Sequence, residues 1–170
     1  MYCQISDFDN PLLEIANLSS DAIQQTVLKF FSVREEQVLE KLLGYDLYKR
    51  FKDGINVEFP AQKWLDLQNG ADFTLNSVLD RWAGFHEMLK YYIYADFLDK
   101  TQSSITPFGV QIFNADNANP DKSAFLKNYF DKRNIGINHY NKCIDFVRVR
   151  ITEYEPFSTK KQHPANPFCV

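Results

Sequence analysis

The sequence predicts an all-α protein: a small helical bundle with a long C-terminal helix, a minor β segment within residues 102–120, and an extended C-terminal arm. Three observations carry this expectation. Apolar residues recur at helical spacing through residues 20–44 and again through 121–151. The run "RWAGFHEMLKYYIYADF", residues 81–97, reads as a helix that is apolar on most of its sides. Prolines and glycines gather in residues 102–120 and prolines again beyond Tyr154, where helices should not continue. The division that follows is a helical domain over residues 1–155 and an arm over 156–170.

The first helix is expected in "LSSDAIQQTVLKFF", with Ser20 as N-cap and Ile23, Val27 and Phe30 on its apolar face. In "SVREEQVLEKLLG", Ser32 and Glu35 have the spacing of a capping box, so a second helix or a kinked continuation is expected there. Val38, Leu39, Leu42 and Leu43 form its buried face, and Gly44 suits a break before "YDLYKRFKDG", a unit closed by Gly54. Pro60 opens a short helix that ends at the turn signal Asn69-Gly70. "ADFTLNSVLDRW" does not settle on one period, and a short hairpin leading into the next helix is one reading.

That next helix, 82–100, places Trp82, Phe85, Leu89, Ile93 and Phe97 on one stripe. Met88, Tyr91, Tyr92, Tyr94 and Ala95 spread over most of the rest. An ordinary surface helix has an apolar stripe and a polar back, so this one must be covered on more sides than usual. Pro107, Gly109 and Pro120 bracket a β segment, Val110 to Phe113, in a long loop. Leu126, Phe130, Arg133, Ile137, Tyr140, Ile144, Val147 and Ile151 then alternate in steps of four and three, the spacing of a coiled-coil-like seam with one charged member. A helix from Asp121 to Ile151 is expected, about 46 Å long, with Gly136 weakening its middle or marking a bend. "YEPFSTKKQHPANPFCV" reads as an extended arm anchored by Phe157 and Phe168, or as a disordered tail.

Composition bounds the function classes. The chain has 15 Phe, 9 Tyr and 2 Trp in 170 residues, which fits either association through aromatic surface or a small core that uses Phe in place of Leu. Residues 1–120 hold 10 Lys/Arg against 17 Asp/Glu, a balance of −7; residues 121–170 hold 9 against 5, or +4. The two parts attract, either within one chain or head to tail between copies. No dense basic stretch suggests sequence-specific DNA reading. The N-terminus lacks the pattern of a secretory signal, so synthesis for the cytoplasm is expected. Arg81, Glu87, Lys90 and Asp96 disqualify the aromatic helix as a membrane span. Cys3, Cys143 and Cys169 are expected as reduced thiols.

Catalytic patterns are sparse. His139 and Cys143 share a helix face but lack a third member for a metal or thiol–base site; Cys143 fits the core and His139 the surface. "NADNANPD" is oxygen-rich, yet the sixth and twelfth positions counted from Asn114 are Asn119 and Phe125, where a calcium loop needs Gly and Glu. Glu35 and Glu36, beside Arg34 and Lys41, read as a solvated helix surface. His86 reads as a packed or hydrogen-bonded histidine. No cofactor or metal is expected.

Taken together, "VLEKLLGYDLYKRF", "WLDLQNGADF", "RWAGFHEMLKYYIYADFL", "HYNKC" and "YEPF", in this order over residues 30–157, resemble the head-to-tail connector proteins of tailed bacteriophages and prophages, also called adaptor or head-completion proteins. The resemblance implies a non-enzymatic helical bundle that forms a ring, commonly of twelve copies, beneath the portal in the virion neck, assembled in the host cytoplasm. It implies as partners the portal protein, copies of the same chain, the next neck or tail-completion protein, and passing DNA held without specificity, with no membrane. Phe85, Leu89 and Ile93 would then fill the protomer core, Tyr91, Tyr94 and Leu98 would meet the adjacent subunit, and Phe157, Lys160, Lys161 and Phe168 would form a portal-docking arm. The alternative from another class is a small cytosolic enzyme or ligand-binding bundle whose His139 and Cys143 face opens on an aromatic pocket.

Overall fold

A computed structural model describes residues 2–8, 13, 21–106, 109–112 and 122–164. The expectations for Ser20, Phe113, the loop 114–121, Phe168 and Cys169 lie outside them, as do the side chains of Ile23 and Leu126. A 3-10 turn, Ile5–Phe8, precedes helix α1 (Asp21–Leu43), α2 (Tyr45–Ile55) and α3 (Gln62–Asn69). Strands β1 (Ala71–Leu75) and β2 (Val78–Trp82) form a hairpin that leads into α4 (Phe85–Gln102). A second hairpin, β3 (Ser103–Thr106) and β4 (Gly109–Ile112), separates α4 from α5 (Lys122–Val149) and the single turn α6 (Ile151–Tyr154). The predicted helical bundle, its long C-terminal helix and the β segment near Val110 are all present, as is the extended arm, which has no helix or strand from Glu155 to Pro164.

The aromatic run solves its coverage problem inside the chain. Phe85, Met88, Leu89, Tyr92, Ile93, Tyr94 and Ala95 are all buried. Helix α5 covers one side through Tyr140, whose ring lies 6.0 Å from Tyr92, and α1 covers another through Phe30, 5.9 Å from Phe97. Phe51 of α2 and Trp82 of β2 close on Phe85 at 5.3 and 5.8 Å. The N-terminal segment supplies the remaining wall: Tyr2 meets Phe85 edge-on, and Phe8 lies between Phe31 and Tyr94. Each buried aromatic of this kind contributes about 1.5–3 kcal/mol through area alone, with about 0.5–1.5 kcal/mol more for each well-oriented ring pair.

Helix α1 runs through Ser32 without a break, so the capping box does not form. The Ser32 hydroxyl instead donates to the Lys29 carbonyl one turn back, at 3.0 Å. Its expected partner is also elsewhere. Glu35 is 3 % exposed, and its carboxylate accepts the amide of Cys3 at 2.6 Å and that of Tyr2 at 2.9 and 3.0 Å. The solvated-surface expectation therefore holds for Glu36, which pairs with Lys52 at the surface, and fails for Glu35. Val27, Phe31, Val38 and Leu42 are buried on either side of Glu35, so the carboxylate stands on the inward stripe of α1. Phe31, not Phe30, is the fully buried member of the adjacent pair.

At the β1–β2 hairpin, Asn76 and Ser77 both have positive φ, 51° and 64°, the conformation of a two-residue type I′ turn. Gly70 and Gly84 back onto each other at its base with φ of 94° and 91°; a Cβ on Gly70 would come within 2.3 Å of the Trp82 carbonyl oxygen. Trp82 hangs from this base, its indole N–H donating to the Leu67 carbonyl at 2.8 Å.

Along α5, Phe130, Ile137, Tyr140, Ile144 and Val147 are buried as the seam requires, and Cys143 and Phe146 widen it. The helix ends at Val149, two residues before the expected limit, because Arg150 turns the chain (φ −108°, ψ 33°) into α6. Gly136 serves close approach: a Cβ there would lie 2.8 Å from the Tyr92 ring.

Glu35→Ala should lower unfolding free energy by at least about 2 kcal/mol, since two buried amides lose a charged acceptor. In a chain lacking residues 1–4 the same substitution should be neutral or stabilising, because a buried carboxylate without its donors is unfavourable. Urea unfolding of the four proteins measures this; equal losses in both backgrounds would mean that Glu35 does not act through the N-terminal segment.

Candidate functional site

The charge polarity is spent in part inside the chain. Asp96 on α4 accepts Arg133 Nη1 from α5 at 2.6 Å. It also accepts Arg34 from α1, through Nε at 2.9 Å and Nη2 at 2.8 Å. The Arg133 guanidinium lies over the Tyr92 ring at 4.5 Å, a favourable cation–π geometry. The charged member of the seam thus pins three helices together. Lys142 reaches Asp80 on β2 at 2.5 Å, and Arg150 joins Asp66 on α3 at 2.6 Å while gripping Glu153 with its other two nitrogens. These three joins run from residues 121–170 to residues 1–120, as the intramolecular reading of the polarity requires.

The arm lies back along α5. Gln162 exchanges two hydrogen bonds with Asn141, at 2.8 and 2.9 Å, and accepts from the Tyr92 hydroxyl. Arg148 donates to the Thr159 carbonyl, and Lys161 pairs with Asp145 at 2.6 Å. Phe157 is half-buried against the core, and Lys160 is exposed. Among the expected subunit-interface residues, Tyr94 is 4 % exposed and stacked with Phe8, so it is an interior residue of this chain. Tyr91 and Leu98 are half-buried at the core's edge.

His139 and Cys143 do not open on a shared pocket. Cys143 is wholly inside the core, where burial pushes its thiol well above the ordinary range and keeps it protonated. Cys3 is pushed up likewise, first by burial and then by the neighbouring Glu35 carboxylate. His139 is half-buried instead of lying at the surface. Its ring stacks on Tyr91 at 6.0 Å and 12°, and its Nδ1 is buried with no partner among the described residues. His86 contacts Asp7 through Nε2 at 3.0 Å, as the hydrogen-bonded reading expects. Among the described residues no trio of His, Cys, Asp and Glu is placed to hold a metal ion, and no helix is long and apolar enough to cross a membrane.

Four of the seven exposed large apolar side chains among the described residues lie on the first hairpin and the α2–α3 connection; Val33, Tyr45 and Val149 are exposed on the helices. At the hairpin tip, Val78 is 66 % exposed and Leu79 is 73 % exposed. Leu79 faces away from α5, beside Thr74, while Phe73 on the opposite face packs on Phe146 at 5.8 Å. In the α2–α3 connection, Val57 and Phe59 are exposed, Phe59 to 84 %. Sequence reasoning missed both, because it looked for association surface on the aromatic helix. A usable signal was present: Val78-Leu79 follows a turn and breaks the inward–outward alternation of a hairpin with only one covered face.

The fold and these surfaces define a helical domain with a projecting β-hairpin and a folded-back arm. The chain belongs to DUF6712, a family of unknown function whose profile matches residues 39–166, from the end of α1 through the arm. No curated protein and no solved structure matches it.

Burial lowers the pKa of His139, Lys142 and Lys90 lower it further, and Glu87 partly opposes them. The unfolded chain therefore takes up a proton at higher pH than the folded one. The stability conferred by neutral His139 is complete above about pH 6.5 and declines as pH falls from there toward the folded value. A proton-NMR titration should place His139 below 6.5, and His139→Gln should flatten the stability profile in that window. An unchanged slope would contradict the assignment.

Proposed function

We propose that this protein is a structural, non-enzymatic connector of the tailed-phage neck. It would form a ring beneath the portal that joins head to tail, passes DNA and helps retain it. The reading is supported by the motifs that resemble connector proteins and, above all, by the solvent-facing Leu79 on the hairpin and Phe59 in the α2–α3 connection, the two most exposed large apolar side chains among the described residues. Large apolar side chains on protruding loops favour a partner surface, since their transfer from water supplies association energy without any change in the core. Three charge pairs already join the basic and acidic parts within the chain, so contact between copies would rest on the hairpin and the α2–α3 connection more than on head-to-tail electrostatics. A heterologous contact of that kind closes into a ring when its rotation divides a full turn.

The arm would reach the portal with Lys160 and Phe168. Phe157 and Lys161 would have to exchange their partners in the chain for partners on the portal. DNA would pass without tight phosphate contacts, in keeping with a net charge of −3.

Light scattering and electron microscopy of the chain, alone and mixed with the portal protein of the same phage or prophage, should reveal rings at least on the portal. Leu79→Asp and Phe59→Asp should abolish ring formation while changing stability by no more than about 0.5 kcal/mol, as exposed substitutions do. A wild-type chain that stays monomeric with the portal present, or variants that assemble as well as wild type, would refute the proposal.

A further inference from the structure

Helices α1, α4 and α5 and the arm meet around a recess of about 160 Å³. Its charge is lopsided. Arg34, Lys41 and Arg133 line it against one carboxylate, Asp96. Both oxygens of Asp96 are engaged, Oδ1 by Arg133 and Oδ2 by Arg34, so one negative charge is shared by two guanidinium groups. Lys41, at the exposed rim, has no ion-pair partner among the described residues. Asp99, the next acidic residue along α4, lines not the recess but a neighbouring groove that shares Arg34, Gln37 and Asp96 with it.

We propose that this recess binds a small tetrahedral oxyanion, inorganic phosphate or the phosphate of a monoester. Surplus positive charge in a partly desolvated recess is unfavourable until an anion enters. Guanidinium groups match the geometry of phosphate oxygens, and Lys41 supplies a point charge at the mouth. Two neutral donors converge on the same space. The Tyr140 hydroxyl donates a long bond of 3.3 Å to the Lys41 carbonyl and accepts from the Gln162 side chain. Gln162 accepts from the Tyr92 hydroxyl with its carbonyl oxygen and turns its NH₂ group toward Tyr140, at the wall of the recess. The Arg34–Asp96–Arg133 triad alone would explain how three helices are tied together. It does not explain why Lys41 joins it at the mouth of the recess. Because Gln162 forms one wall, an anion bound here also holds the arm against α5.

The test is isothermal titration calorimetry and thermal melting of the full chain in sodium phosphate, against sodium chloride of equal ionic strength, with a short DNA duplex as a separate arm. Phosphate should bind in a saturable way and raise the melting temperature where chloride does not. Arg133→Gln should weaken binding about tenfold or more. Lys41→Gln should also weaken it measurably; Lys41 is exposed and makes no ion pair among the described residues, so this variant decides the matter if Arg133→Gln proves unstable. Lys52→Gln, whose lysine pairs with Glu36 on the α1–α2 face, should bind as wild type. Equal shifts in phosphate and chloride, undiminished binding by Lys41→Gln, or binding of duplex DNA without binding of phosphate would each overturn the assignment.

Discussion

Helix α4 carries apolar side chains around most of its circumference, and the placement of α1, α2 and α5 follows from keeping water away from it. A helix with one apolar stripe needs one neighbour. This one has α5 on one side, α1 on another, α2 and the base of the first hairpin at its N-terminal end, and the segment before α1 over the remainder. The last cover is the least self-sufficient, because a short stretch with one 3-10 turn has few hydrogen bonds of its own. Glu35 provides what the stretch lacks, an acceptor for the Tyr2 and Cys3 amides at the depth of the core. A buried carboxylate is unfavourable in isolation, and here it is offset by amides that would otherwise be unpaired themselves. The matched family span begins at residue 39, so this clasp lies outside it, while α4 and α5 lie within.

Much of this was legible from residue order. The four-three spacing from Phe130 to Val147 required a long helix with that face inward, and the stripe Val38, Leu42 on α1 is buried as its period demands. Other features were hidden for physical reasons. Glu35 stands three residues after Ser32 and so imitates a capping box, but the helix was already under way, and a cap has no role in mid-helix. Its position on the stripe through Phe31 and Val38 was the better guide. Asn76-Ser77 makes a type I′ turn without the glycine that usually announces one. The −7/+4 polarity could be counted in the sequence, yet only the packing shows where Arg133, Lys142 and Arg150 find their acids. Periodicity reports which face is covered and not by what, and that is why crowding on α4 suggested a neighbouring subunit when the chain's own elements suffice.

That distinction reshapes the functional reading. Association through the aromatic helix would require opening the core, since Tyr94 sits under Phe8. The most exposed large apolar side chains, available without such a cost, are Leu79 on the outer face of the first hairpin and Phe59 between α2 and α3. The arm is likewise a separable layer. Its contacts are hydrogen bonds and one lysine–aspartate pair along α5, with Phe157 as its apolar anchor, and such contacts exchange for a partner's at low net cost. A well-packed body with loosely held appendages suits a protein that must remain folded alone and still join an assembly.

The central claim is that one chain suffices to cover α4. Native-state hydrogen exchange on the isolated protein tests it most directly, by comparing amides of α4 with those of α5. If the claim holds, residues 88–95 exchange only through global unfolding, as slowly as the slowest amides of α5, at concentrations where light scattering finds single chains. Rapid exchange across 88–95 in the lone chain, suppressed only on assembly, would contradict it and return that helix to the role of an interface.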